Sequence, residues 1–308
     1  MRVLVVCSAN SGNISPFVLE QVSELEKLGI EIGLFPIKGK GIFGYLNNLG
    51  GLKQRIQSFN PDLIHAHSGM SALLCGLQRK KKVVATFHGS DVNNLTLKRF
   101  TRIAILLTHK QIVVSSEMKS KLGLNSIQVI PCGVNNQIFK PNNQAIAQEK
   151  LGWNPTKKYI LFSSSFRNKV KNYPLAEASI KSIGDSNILL IELSDKTREE
   201  VALLLNACDV ALMTSFSEGS PQFIKEALSS GTPIVSTNVG DVKKLIIGLD
   251  GCFLTDYEPN SIGNAIKTAI NFKKEMQFTA GPGRIQDLKI TGEQIAVQIM
   301  QVYTSVSL

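Results

Sequence analysis

The sequence predicts an α/β protein built from two open parallel-sheet units. Three observations carry that expectation. At 308 residues the chain is about twice the length of a typical domain. Along it, short unbroken aliphatic runs alternate with stretches of helical periodicity, the pattern left by buried parallel strands and their crossover helices. The stretch 210–240 spells out one such crossover in full.

In that stretch Val210-Ala211-Leu212-Met213 reads as a buried strand ending in Thr214-Ser215. A polar turn with Gly219 and Pro221 follows, then a helical pattern over 222–229, which Gly231 and Pro233 stop before the next strand begins at Ile234-Val235. The helix therefore starts at the carboxyl edge of a strand, where open α/β sheets bind ligands. There the amides of Gly219, Ser220, Gln222 and Phe223 lack intrahelical partners and, with the helix dipole, suit an anion such as a diphosphate. Glu218 lies in the turn and Glu226 eight residues on. Two carboxylates beside an anion site would repel a phosphate unless they serve hydroxyl groups, and a carboxylate accepts both hydrogen bonds of a vicinal diol. A diphosphate between two polyols, a nucleotide sugar, meets both demands. The competing reading is a capping turn with a solvated Glu.

In chain order, residues 2–6 form a first strand, a polar loop over 8–15 holds Gly12, and a helix follows with Phe17, Val18, Val22, Leu25 and Leu28 on one face. A strand at 30–35 completes a βαβ opening. Only Gly12 remains of the dinucleotide fingerprint, which disfavours NAD. Over 38–59, Ile42, Tyr45, Leu46, Leu49 and Leu52 recur at helical spacing between flanking lysines and an arginine, with Phe43 nearby. That pattern suits either an interfacial amphipathic helix or packing on the domain's own sheet, and Gly44 and Gly50-Gly51 weaken it as a helix. A strand at 62–67 points His65 and His67 to one face, but no third metal ligand is evident. A basic cluster, Arg79-Lys80-Lys81-Lys82, precedes the strand 83–87. His88-Gly89-Ser90-Asp91 ends that strand, and an imidazole there could donate to a sugar hydroxyl or a developing oxyanion. A structural turn with Asp91 capping a helix is the alternative.

A strand at 111–114 and a short helix at 115–122 precede Ile130-Pro131-Cys132-Gly133-Val134-Asn135 and a polar segment, 142–148, that reads as a linker. The second half begins with a strand at 159–163 and the loop Ser163-Ser164-Ser165-Phe166-Arg167-Asn168-Lys169-Val170-Lys171-Asn172. Further strands fall at 188–191 and 251–254, and helices at 197–206, 260–272 and 293–303.

Charge divides unevenly. Residues 1–150 hold 18 Lys and Arg against 8 Asp and Glu, a formal +10, whereas 151–308 hold 16 of each. The first half is therefore suited to an anionic partner such as membrane headgroups, a lipid-linked phosphate or nucleic acid. Five scattered cysteines without a CxxC pair disfavour disulfide and zinc frameworks and fit a reducing cytosol. The apolar amino-terminal run is too short for a signal peptide and no run reaches membrane-span length, so a cytoplasmic location is expected.

Glu218-x7-Glu226, followed by Ala227-Leu228 and Gly231-Thr232-Pro233, resembles the signature of the retaining glycosyltransferases of family four. His88-Gly89-Ser90-Asp91, the 130–135 segment (with Cys132 where the pattern often has Asn) and the ending 281–288 with Arg284 support the resemblance. It implies the GT-B fold, two Rossmann-like domains whose parallel sheets face across a central cleft. Residues 1–141 would form the acceptor-side domain, 142–156 a linker, 157–290 the nucleotide-sugar domain, and 291–308 a helix crossing back to the first domain. The resemblance sets Glu218 and His88 against the donor sugar, Glu226 on the ribose, and the turn 219–223, with Pro221, around the diphosphate. That family places a Gly-Arg pair and a Lys-Gly after the first strand of the second domain. Here Lys171 falls on the Lys position, Asn172 replaces the Gly, Phe166 takes the Arg position and Arg167 stands one residue away. Gly12, Asn13 and Asp91 match acceptor or cleft positions. The implied reaction retains the anomeric configuration, needs no protein nucleophile, and uses protein cations and amides where other enzymes use a metal, so no cofactor is expected beyond the co-substrate.

Two other readings stay open: an epimerase that acts on a nucleotide sugar on the same fold, and a non-catalytic nucleotide-sugar-binding protein, motivated by the displaced Arg. No nucleic-acid motif is present. The one-sided charge and the 42–52 pattern suggest a lipid-linked or surface-glycan acceptor, with the first domain resting on the inner face of the membrane.

Overall fold

A computed structural model describes residues 1–10 and 12–307. The chain divides into two compact units, Met1–Gly133 with Gly292–Leu308, and Val134–Thr291. In the first, strands β1 (Arg2–Ser8), β2 (Glu31–Ile37), β3 (Leu63–His67), β4 (Lys82–Phe87), β5 (Lys110–Val113) and β6 (Gln128–Val129) form one parallel sheet in the order β2-β1-β3-β4-β5-β6. In the second, β7 (Lys158–Phe162), β8 (Ile188–Ile191), β9 (Val210–Met213), β10 (Ile234–Thr237) and β11 (Cys252–Thr255) form a parallel sheet in the order β11-β10-β9-β7-β8. Numbered within each unit, both sheets share the order 2-1-3-4-5, with a sixth strand added in the first. Central strands are covered on both faces, which explains why residues 3–7 of β1 and all of β9 read as unbroken apolar runs rather than alternating ones.

Helices close each sheet. The last helix, Gly292–Ser307, buries Ile295, Ala296, Ile299, Val302, Tyr303 and Val306, a helical stripe, and packs on the helix Pro16–Lys27 within the first unit. Tyr303 adds a hydroxyl 2.6 Å from His65 Nδ1, and Lys82 Nζ donates to the Val306 carbonyl at 2.6 Å. Segment 38–59 folds inward: in the helices Gly41–Leu46 and Leu49–Phe59, Leu52, Ile56 and Phe59 are buried, and Ile42, Tyr45 and Leu49 pack against the same core. Phe43 is exposed. The interfacial-helix reading of this segment thus gives way to core packing. The polar 142–148 segment is not a free linker either. Asn143 caps the helix Gln144–Lys150, and Gln144 and Gln148 donate to the Ala207 carbonyl within the second unit.

Candidate functional site

In a sheet ordered 2-1-3-4-5, the connections leave the first and third strands in opposite directions. The crevice at their carboxyl ends is the topological switch point where ligands bind. In the second unit this crevice lies beyond β7 and β9, so the loops 163–172 and 214–221 meet there. Their meeting is visible in the hydrogen bonds. Thr214 Oγ1, at the end of β9, lies 3.0 Å from each of the Lys171 and Asn172 carbonyls, and the Phe216 amide donates to the Val170 carbonyl at 2.9 Å. Lys171 Nζ and Glu218 Oε1 form an ion pair at 2.7 Å, both side chains mostly shielded from solvent. Asn172 stands in the left-handed region with φ 55°, a conformation asparagine tolerates better than other non-glycine residues.

The turn after Glu218 is fixed from below. Gly240 approaches so closely that a Cβ there would stand 2.7 Å from the Gly219 carbonyl oxygen. Ser220 Oγ donates to Asp241 Oδ2 at 2.6 Å. Burial pushes the Asp241 carboxyl above its ordinary range, against the charge of Lys225 and the Ser220 hydrogen bond. Lys225 is fully buried and donates to Gln222 Oε1 at 2.8 Å. The helix Gln222–Ser229 begins after Pro221, with no side-chain cap, and Phe223 anchors its first turn in the core. Glu226, on the same helix, is 3% exposed and pairs through Oε1 with Arg198 Nη2 at 2.6 Å.

Arg167 is exposed, whereas Phe166 packs on Tyr173, ring centroids 4.2 Å apart, and on Phe162. The position the family uses for a cation is thus turned into an aromatic cluster. Glu192 accepts from Ser165 Oγ and the Phe166 amide, both at 2.7 Å; these bonds, with the Arg167 charge, hold its carboxyl below the usual range.

In the first unit the equivalent crevice lies beyond β1 and β3. Gly12, with φ 103°, and Asn13 are exposed in the loop after β1, in which Ser11 lies outside the described residues. Asn10 braces that loop by exchanging two hydrogen bonds with the Gly39 backbone. His88, after β4, is half-buried. Its Nε2 lies 3.3 Å from His67 Nδ1, its Nδ1 lies 3.9 Å from Cys132 Sγ, and Phe17 packs on the ring. Burial, then the neighbouring His65 and His88, hold His67 well below the usual histidine range; burial, then His88, pushes His65 down to about 3. His65 gives both ring nitrogens to Tyr303 and Thr86, and among the described residues no group of three His, Cys, Asp or Glu suits a metal. Asp91 is a framework residue. It is 3% exposed, and its two oxygens accept the Gly69 and His88 amides at 2.9 and 2.8 Å, binding the loop after β4 to the loop after β3. Burial raises its carboxyl to about 6 against those two bonds. The capping role offered as the alternative for Asp91 is present, in a capping box with His88.

Sequence reading missed Arg198, Asp241 and Lys225. No linear signal ties Arg198 to Glu226, because the pairing depends on how two separate crossover helices pack.

Two doubly wound parallel units are the architecture of the GT-B glycosyltransferases, and the chain has that fold. Sucrose-phosphate synthase from Thermosynechococcus elongatus superposes with a TM-score of 0.83 at 16% identity, over 99% of this chain and 98% of that one. Anabaena HepE in complex with UDP-glucose gives 0.76 at 16% identity, over 99% of this chain and all of that one (100%). In sequence, an uncharacterized glycosyltransferase of Methanocaldococcus jannaschii is 27% identical over 88% of this chain and 83% of its own length. The putative teichuronic acid biosynthesis glycosyltransferase TuaC of Bacillus subtilis is 28% identical over 63% of this chain and 57% of its own length. Residues 1–137 match the model described as Glycosyltransferase Family 4, and 158–271 match that of Glycosyl transferases group 1. The chain belongs to the family-four type of glycosyltransferases.

Proposed function

We propose that this chain transfers a sugar from a nucleoside diphosphate sugar to an acceptor hydroxyl with retention of anomeric configuration, in the synthesis of a surface polysaccharide or glycolipid. The observation that carries this reading is the Lys171–Glu218 pair at the switch point of the second sheet, beside the start of the helix Gln222–Ser229. As the bond from the anomeric carbon to the diphosphate breaks, charge grows on the leaving oxygen. The Lys171 ammonium and the amides at 219–223 offset it. The acceptor oxygen attacks the same face and its proton passes to that leaving phosphate oxygen. Glu218 would orient the sugar and Glu226 the ribose, and by the family resemblance His88 is a candidate for contact with the sugar. UDP-glucose on HepE and the teichuronic acid role in the name of TuaC support a nucleotide-sugar donor and a polysaccharide product.

The acceptor would be presented at a membrane. No helix among the described residues is long and apolar enough to cross one, but the helix Leu95–Leu107 carries a face suited to its surface. Thr101 and Ala104 face inward, while Leu95, Arg99, Arg102, Ile103 and Leu106 are exposed on the outside. Leu95 and Leu106 are each more than 80% exposed. Apolar side chains interleaved with arginines, on the half of the chain with a formal +10, suit a bilayer with anionic headgroups.

The test is turnover of UDP-, GDP- and ADP-sugars with free and lipid-linked glycan acceptors, with product configuration read by NMR. An α-donor yielding an α-linked product supports the proposal. Inverted product refutes retention. Turnover without acceptor points to an epimerase, and tight donor binding without any transfer points to a binding protein.

A further inference from the structure

Glu226 poses a physical problem. A carboxylate 3% exposed, on a helix whose N-terminus is proposed to face a diphosphate, is costly to bury and adverse to the anion beside it. The chain answers with Arg198, whose Nη2 lies 2.6 Å from Glu226 Oε1. Arg198 is held on several sides. It opens the helix Arg198–Ala207, which the Thr197–Glu200 capping box fixes: the Thr197 amide donates to Glu200 Oε2 at 2.8 Å, and the Glu200 amide to Thr197 Oγ1 at 3.2 Å. Its guanidinium lies 4.6 Å from the centroid of the Phe139 ring. Phe139 is itself fully buried, and its carbonyl accepts the Ser229 hydroxyl at 2.5 Å. Ser229 lies on the helix that carries Glu226, so the clamp closes on itself: helix 222–229, Phe139, Arg198 and back to Glu226.

A planar guanidinium engaged at one carboxylate oxygen fixes the rotation of the carboxyl group as well as its charge. We propose that Arg198 is a positioning residue for nucleotide recognition: by holding Glu226 Oε1 it leaves Oε2 to accept the ribose hydroxyls, and so sets the preference for a ribonucleoside over a deoxyribonucleoside diphosphate. The inference rests on the reading that Glu226 holds the donor ribose. A purely structural ion pair would keep the fold intact without discriminating between sugars.

The test separates these. UDP, GDP and ADP are ranked on the wild type by calorimetry, and the tightest is compared with its 2′-deoxy form on wild type, Glu226→Gln, Arg198→Met and Arg198→Lys, each first shown to melt cooperatively. The wild type should prefer the ribonucleotide by about tenfold, the worth of a hydrogen bond to a charged group. Arg198→Met should weaken the ribonucleotide by about tenfold and the deoxy form by less than about twofold, with part of the preference restored in Arg198→Lys. If Glu226→Gln abolishes the preference while Arg198→Met keeps it, or if Arg198→Met weakens both nucleotides equally, the positioning role is overturned and the donor reading stands. A wild type that binds no nucleotide, or binds without preference, overturns the ribose reading and this inference together.

Discussion

Thr214→Val isolates one link in the candidate site. The side chain is fully buried at the end of β9, and valine fills the same shape, so the change removes only a hydroxyl. That hydroxyl lies 3.0 Å from both the Lys171 and Asn172 carbonyls. The Asn172 carbonyl keeps the Leu175 amide at 3.2 Å, so the penalty falls mainly on the Lys171 carbonyl. A net hydrogen bond with one buried acceptor left under-satisfied is worth about 1–2 kcal/mol. For a unit of this size that lowers the melting temperature by roughly 2–8 °C. The same bonds hold the backbone of Lys171, and a catalytic cation displaced by a fraction of an ångström should lower kcat by about tenfold. Differential scanning fluorimetry and initial rates check both effects, with Thr214→Ser, which retains the hydroxyl, as the control. Unchanged melting and unchanged kcat in Thr214→Val would refute the idea that β9 positions the cation loop.

Lys171→Met should lower kcat by about 10²–10³, whereas Arg167→Ala, at an exposed position, should change it by less than about threefold; comparable losses in initial-rate assays would put Arg167 on the diphosphate. Stability of the first unit should fall as pH drops below 6.5, because His65 and His67 gain protons in the unfolded chain but resist them in the fold, at about 1.4 kcal/mol per pH unit for each. Asp91, raised to about 6 from 3.8, works the other way between those values and offsets about one histidine; urea titrations from pH 7.5 to 4.5 should show the loss, His65→Gln should flatten it, and a flat wild-type profile would sink the argument. Leu106→Glu with Leu95→Glu should abolish sedimentation with vesicles of 30% phosphatidylglycerol (about 1 kcal/mol per basic side chain is at stake at the surface). Equal wild-type binding to neutral and anionic vesicles, or no binding, would remove the membrane surface from the proposal.

Legibility in the sequence followed burial. β8 and β9 were readable to the residue because both are short apolar runs bounded by turn residues, and the helix Gln222–Ser229 because Pro221 and Gly231 mark its ends. Polar residues that satisfy backbone groups inside the fold carry no such mark in the sequence. Gln144 and Gln148 have the composition of a linker, yet they serve the carbonyl end of a neighbouring helix. Asp91 carries a charge that suggests a site, yet both its oxygens are taken by backbone amides. The amphipathic pattern at 42–52 admits two directions, and Leu52, with Ile42, Tyr45 and Leu49 against the same core, takes the inward one. The exposed apolar face belongs instead to Leu95–Leu107, where the inward side is set by close approach to another helix: a Cβ on Gly69 would stand 2.3 Å from Thr101 Oγ1.

The departures at 166 and 172 from the family's motif have separate physical causes, and together they decide which cation matters. At 172 the backbone must turn into the left-handed region to start the helix Tyr173–Ile183 after Lys171. Glycine meets that demand by lacking a Cβ; asparagine meets it at modest cost. The substitution therefore leaves Lys171 where a glycine would have left it. At 166 the change is not neutral. An aromatic ring between Phe162 and Tyr173 gains burial that an arginine would forfeit, and the displaced positive charge moves to Arg167, beside Glu192 and in solvent. One cation of the usual pair is thus exchanged for packing. The Lys171 side chain is mostly shielded and pairs with Glu218, and Thr214 Oγ1 donates to the Lys171 backbone carbonyl. A leaving diphosphate at this switch point would be met by the Lys171 ammonium and the amides of a helix start, which makes Lys171 the cation the proposed chemistry leans on ahead of the exposed Arg167.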